Sequence, residues 1–174
     1  MALAVCLLFD PATERRLRAL WRRLEDAGIH TLASHTHGRH HPHLSYAVLR
    51  AWDLEAVREA VDALPDGGPV TLRCHGTVVF PRGRAALAPA VTADVSRRQE
   101  SVTAALVATG ADLHRNYAPG AWVPHVSVAT RAPGAKLLAV VEAVADVLPM
   151  PLTVDRAAII DSGTGQLWPL AAIP

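Results

Sequence analysis

The phrase Pro-His-apolar-Ser occurs twice in this chain, as Pro42-His43-Leu44-Ser45 and as Pro124-His125-Val126-Ser127, each leading into an apolar, strand-like run. The two histidines stand 82 positions apart. The same offset carries a helix beginning near Pro11 onto one beginning near Ala93, and the helix after Asp53 onto the helix after Pro133. It also carries the strand-like run Val70–Phe80 onto Leu152–Ser162, and Ala2–Phe9 onto Arg84–Val91. Repetition at a fixed spacing constrains a fold more than any local propensity. The chain therefore reads as two strand–helix–strand–helix–strand units in tandem, about 1–82 and 83–174, within a single domain of residues 1–174. A third His-x-Ser/Thr match, His75-Gly76-Thr77, has no counterpart one repeat later.

Local signals place the elements. Asp10 is a good N-cap and Pro11 suits a first helical turn. Leu17, Leu20, Trp21 and Leu24 follow at helical spacing, and Gly28 ends the helix. Asp53 caps a second helix, Thr92 or Asp94 a third, and Pro133 opens a fourth that Pro149 and Pro151 break. Val70–Phe80 reads as a long strand bulged at Gly76. Motif strands are expected over His43–Arg50 and Pro124–Thr130, and a closing hairpin over Leu152–Ile160 and Gln166–Ala172. Residues 29–42 form a loop rich in histidine, and 111–123 a second loop.

With 51% hydrophobic residues the chain can fill a core, and a formal charge of +1 supplies no global field for polyanions. Cys6 and Cys74 lie in apolar runs and read as buried thiols, which fits a reducing compartment. The apolar start, Ala2–Phe9, is short and lacks a basic lead-in, so it reads as a first strand rather than a signal peptide. No run is long enough to span a membrane. The expectation is a cytoplasmic protein that works as a monomer without membrane contact.

Residues i and i+2 of a strand share a face. His43 and Ser45 therefore project together, as do His125 and Ser127. Two such strands across a groove present two imidazoles and two hydroxyls to one substrate, a set suited to acid–base chemistry at a phosphodiester.

With the repeat in view, the chain resembles the 2H phosphoesterase superfamily, which includes the bacterial 2′,5′ RNA ligase-like proteins. The likeness covers nearly the whole chain. It rests on the two His-x-Ser copies and on the flanks Phe80-Pro81-Arg82 and Trp122-Val123-Pro124-His125-Val126-Ser127-Val128. It implies an α+β fold of two pseudo-twofold-related lobes, each with an antiparallel-type sheet and two helices, around a central cleft between the sheets. It implies His43 and His125 as acid and base, and Ser45 and Ser127 as phosphate ligands, with no metal or other cofactor. Family members often carry Thr where this chain has Ser45 and Ser127; serine keeps the hydroxyl. Many place a basic residue soon after the second motif, where Arg131 stands here. The resemblance does not account for the richness of the loop 29–42 in histidine.

The resulting expectation is a metal-independent phosphoesterase that hydrolyses a cyclic phosphodiester by two-histidine acid–base catalysis, with reversible 2′,5′ RNA ligation as an accompanying activity. Its partner would be an RNA 3′ end or a small cyclic nucleotide. RNA 2′,3′-cyclic phosphate, ADP-ribose cyclic phosphate and other cyclic or 2′,5′-linked nucleotides all stand as substrates. Arg131 could reach a phosphate, and Tyr117 and Trp122 could stack on a base; equally, they read as a surface arginine and packed aromatics. Two other functions stand beside this one. His35, His37, His40, His41 and His43 could hold a metal, although a solvated loop accounts for them as well. A module could also bind an RNA end or nucleotide without turning it over.

Overall fold

The structure is a computed structural model and describes residues 2–174. Its elements follow the repeat: β1 (Leu3–Phe9), α1 (Pro11–Asp26), β2 (His43–Ala51), α2 (Leu54–Asp62) and β3 (Val70–Phe80), then β4 (Arg84–Ala90), α3 (Ala93–Ala108), β5 (Asp112–Leu113), β6 (Val126–Ala129), α4 (Ala135–Ala145), β7 (Met150–Asp161) and β8 (Leu167–Pro169). The helices α1 and α3 are each 16 residues long and coincide under the repeat offset at both ends. Caps set their starts. The Asp10 carboxylate accepts from the Thr13 amide at 2.7 Å, and the Thr92 hydroxyl from the Val95 amide at 3.2 Å.

The fold is α+β with an eight-stranded antiparallel sheet, ordered β5-β2-β1-β7-β3-β4-β6, with β8 on β7. The halves of this sheet do not coincide with the halves of the sequence. Strand β1 of the first repeat pairs with β7 of the second, and β4 of the second pairs with β3 of the first. Each repeat thus hands its last strand to the other's sheet, and the two sheets join where β3 pairs with β7. Within that pairing Thr71 stands opposite Thr153, two residues related by the repeat itself, with hydroxyls 3.2 Å apart. The pseudo-twofold axis runs between them.

Alternate residues of β1 serve different faces. Leu3, Val5, Leu7 and Phe9 join the main core with Leu17 and Leu24 of α1 and the apolar residues of the other helices. Ala4, Cys6 and Leu8 join a smaller cluster with Ala158 and Ile160 on the opposite face. Period-two alternation of this kind lets one sheet carry helices on one side and a cleft on the other.

Three expectations need adjustment. The second motif strand begins only at Val126; Pro124 has no amide to donate and the pairing with β4 stops at Leu87–Val126. The closing strand is limited to Leu167–Pro169. The loop 111–123 contains the short strand β5, paired with β2, and one 3₁₀ turn at Arg115–Tyr117. The bulge lies where expected, as a register shift between Cys74 and Gly76. No helix of the described residues is long and apolar enough to cross a membrane.

Candidate active site

His43 opens β2 and His125 lies one residue before β6, each half-buried while Leu44, Tyr46, Val126 and Val128 turn into the core. Both imidazoles are held the same way. Nδ1 of His43 bonds the carbonyl oxygen of His41 at 2.7 Å, and Nδ1 of His125 bonds that of Val123, also at 2.7 Å. A carbonyl oxygen only accepts, so each Nδ1 carries hydrogen and donates, which leaves each Nε2 free. Burial is the largest cause holding both imidazoles below the usual histidine pKa, against the raising effect of those carbonyls. His43 is pushed down further by His125 and His41, and His125 by the Arg84 guanidinium.

The backbone under each serine is tied down by an indole. Trp122 Nε1 donates to the Ser45 carbonyl at 3.1 Å, and Trp21 Nε1 to the Ser127 carbonyl at 3.0 Å. The amide of Gln99, a buried residue, donates to the carbonyls of both Tyr46 and Tyr117, at 3.0 and 2.9 Å. It fixes the turn bearing Tyr117 to the strand bearing Ser45. The Ser45 hydroxyl lies 3.6 Å from the Cys6 thiol, which burial raises to about 12 and so keeps protonated.

Two adjoining cavities, of about 670 and about 400 Å³, open along this face. His125, Ser127 and Tyr117 line both; His43 and Ser45 line the smaller. The paired motifs therefore meet at one cleft. Phe80 and Arg84 line the larger cavity, and the Phe80 ring stands edge-on to His125 at 4.8 Å between centroids. Among the described residues Arg84 makes no ion pair; its Nε reaches only the Pro81 carbonyl, at 3.4 Å. It can therefore offer charge to an anion beside His125. Sequence reasoning missed it. Its counterpart one repeat earlier is Ala2, so symmetry did not point to it, whereas its nearness to the flank Phe80-Pro81-Arg82 could have.

The tentative substrate residues divide. Tyr117 is in the cleft. Trp122 donates to the Ser45 carbonyl, packs edge-on against Tyr46 at 6.0 Å between centroids, and lines neither cavity. Arg131 is exposed, pairs its backbone with His30, and lines neither cavity. The His-rich loop is not simply solvated: His40 is 8% exposed, and burial, with four neighbouring histidines, lowers its pKa to about 4. Among the described residues no three His, Cys, Asp or Glu side chains converge to hold a metal ion.

A sequence model described as the 2'-5' RNA ligase superfamily matches residues 9–166 of the chain. Many solved structures are similar in fold. TT0787 of Thermus thermophilus is 17% identical, with a TM-score of 0.59 and full coverage of both chains (100% and 100%). Usb1 of Kluyveromyces marxianus is 16% identical, with a TM-score of 0.52 over 97% of this chain and 98% of that one. A protein described as a phosphoesterase is 13% identical, with a TM-score of 0.57 over 97% and 94%. The Kluyveromyces Usb1 has also been solved with uridine monophosphate, at 14% identity and a TM-score of 0.52 over 97% of each chain. No curated protein sequence matches the chain.

Proposed function

The chain belongs to the 2'-5' RNA ligase superfamily, and from that membership and the cleft we propose that it hydrolyses a cyclic phosphodiester, at an RNA 3′ end or in a small nucleotide, by two-histidine acid–base catalysis. The observation that carries this reading is the matched pair of imidazoles, each with Nδ1 bonded to a carbonyl two residues back and Nε2 free.

In-line displacement at phosphorus needs a base on the entering side and an acid on the leaving side. One imidazole takes a proton from water through Nε2. The other, protonated, gives one to the departing ribose oxygen. The Ser45 and Ser127 hydroxyls donate to the non-bridging oxygens, where charge gathers, and Arg84 adds positive charge at the His125 side. With a ribose 5′-hydroxyl in place of water, the same two proton transfers open the ring P–O bond and form a 2′,5′ linkage, and their exchange cleaves that linkage back to the cyclic phosphate and a 5′-hydroxyl. The uridine monophosphate in the Kluyveromyces Usb1 structure supports a nucleotide as ligand.

The test is turnover of an oligonucleotide ending in a 2′,3′-cyclic phosphate, with excess chelator, by the wild type and by His43→Ala and His125→Ala. Each substitution is expected to lower kcat by about 10²- to 10⁴-fold, with wild-type turnover unaffected by chelator. Turnover that survives both substitutions sinks the mechanism. Tight binding with no turnover by the wild type replaces it with a nucleotide-binding role.

A further inference from the structure

The acid–base site leaves the His-rich loop without a part to play, although the loop is ordered around its own rings. The His37 and His40 rings are 4.1 Å apart, and His40 and His35 lie 5.9 Å apart with planes inclined by 29°. One end of this stack is anchored. His40 Nε2 bonds the Thr36 hydroxyl at 2.9 Å, and His37 Nδ1 accepts from the Arg39 amide at 3.0 Å. The Arg39 guanidinium reaches the Thr164 carbonyl at 2.6 Å, in the turn between β7 and β8. The His37 ring occupies the space over Gly165, where a Cβ would come within 2.5 Å of it. The other end of the stack is His35, exposed, and it lines both cavities of the cleft.

His35 stands eight residues before His43, and Tyr117 eight residues before His125. The repeat offset therefore makes these two residues counterparts, and both line both cavities. An imidazole and a phenol differ in their hydrogen-bonding groups. What they share is a flat aromatic face, which fits a planar ligand. The rest of the cleft is duplicated in the same sense. Phe80 and Arg84 line the larger cavity, and their counterparts Ser162 and Ala2 line the smaller. The cleft is two versions of one half-site with walls of different size.

We propose that His35 is a nucleobase platform matching Tyr117, and that the cleft holds a phosphodiester with a nucleoside on each side of phosphorus, one base against each ring. This rests on the reading of the motifs as a phosphodiesterase centre. It assigns a residue to the second base of a 2′,5′-linked ligand and gives the imidazole stack a purpose: it supports the His35 ring at the rim.

The test uses two probes, 2′,5′-linked adenylyl-adenosine with two bases and adenosine 2′,3′-cyclic phosphate with one. Binding is measured by calorimetry in a His125→Ala background, so that the result does not depend on turnover. His35→Ala is expected to weaken the two-base probe about tenfold more than the one-base probe, and His35→Phe, which keeps a flat ring, to restore the difference to within about twofold. Equal weakening of both probes, or no restoration by phenylalanine, overturns the proposal; so does failure of the two-base probe to bind. Wild-type turnover of the same two probes is scored separately. If neither is turned over while His35→Ala still discriminates between them in binding, the phosphodiesterase reading falls and the base platform stands.

Discussion

At the scale of the residue, the site is governed by where its imidazoles titrate. Both His43 and His125 are held below the usual value, chiefly by burial. On the proposed mechanism one is neutral to act as base and the other protonated to act as acid. The bell-shaped profile of kcat/KM, which reports the free enzyme, is therefore expected to peak on the acid side of about pH 6.5, the ordinary histidine value, and to fall through neutrality as the acid loses its proton. A maximum at or above about pH 8 would contradict this. Arg84 lowers the His125 pKa by repulsion, so Arg84→Ala should move the limb belonging to His125 toward higher pH while it lowers kcat/KM. His40 adds a stability effect. Its folded pKa, about 4, lies below its unfolded value near 6.5. Between those limits the unfolded chain binds more protons than the folded one, so stability is present above about pH 6.5 and is lost as pH falls toward about 4. The thermal midpoint should decline over that window, and less steeply in His40→Asn.

At the scale of the element, the motif strands are fastened from behind by residues that do no chemistry. Gln99 lies on α3 and bonds two carbonyls, on β2 and on the Tyr117 turn. Gln99→Leu leaves both carbonyls without their partner and should cost about 1–3 kcal/mol in urea unfolding. It should also raise KM through the freed turn. Trp21→Phe removes the bond to the Ser127 carbonyl and should cost about 0.5–1.5 kcal/mol for that bond. A loss of under about a tenth of the expected value for Gln99→Leu would mean that the bonds do not hold the strand. The helices, the long strands and the capping residues Asp10, Asp53 and Thr92 were legible in the sequence, since local chemistry decides them. The geometry of the candidate site was legible as far as the repeat reached: His43, Ser45, His125 and Ser127, placed at one cleft by the same-face rule. Gln99, Trp21 and Trp122 were not legible as fasteners, because their partners are carbonyls far along the chain. Strand β5 has two residues and so no period to read. Arg84 looked like the start of a soft strand, and only the folded cleft brings it beside His125.

At the scale of the whole molecule, the repeat was visible in the sequence but the exchange of strands was not. Hydrophobic period says which residues form strands and which face they bury; it does not say whose sheet a strand joins. Here β7 completes the sheet that carries His43, and β3 completes the one that carries His125. Each repeat's sheet is completed by a strand of the other. Urea unfolding followed by far-ultraviolet dichroism and by tryptophan fluorescence should therefore give one coincident transition. Two separated transitions would mean that the halves are stable independently.

The exchange also sets an order on events at the ribosome. A nascent chain that has released β2 already displays His43 and Ser45, but the strand that must lie beside β1, running Met150–Asp161, is made only after both motifs have been. Until β7 emerges, both motifs exist as sequence and neither exists as a site. A chain that stops short of β7 thus carries both motifs without the strand that completes the sheet of the first, and the pairing of the imidazoles waits on a segment far from either of them.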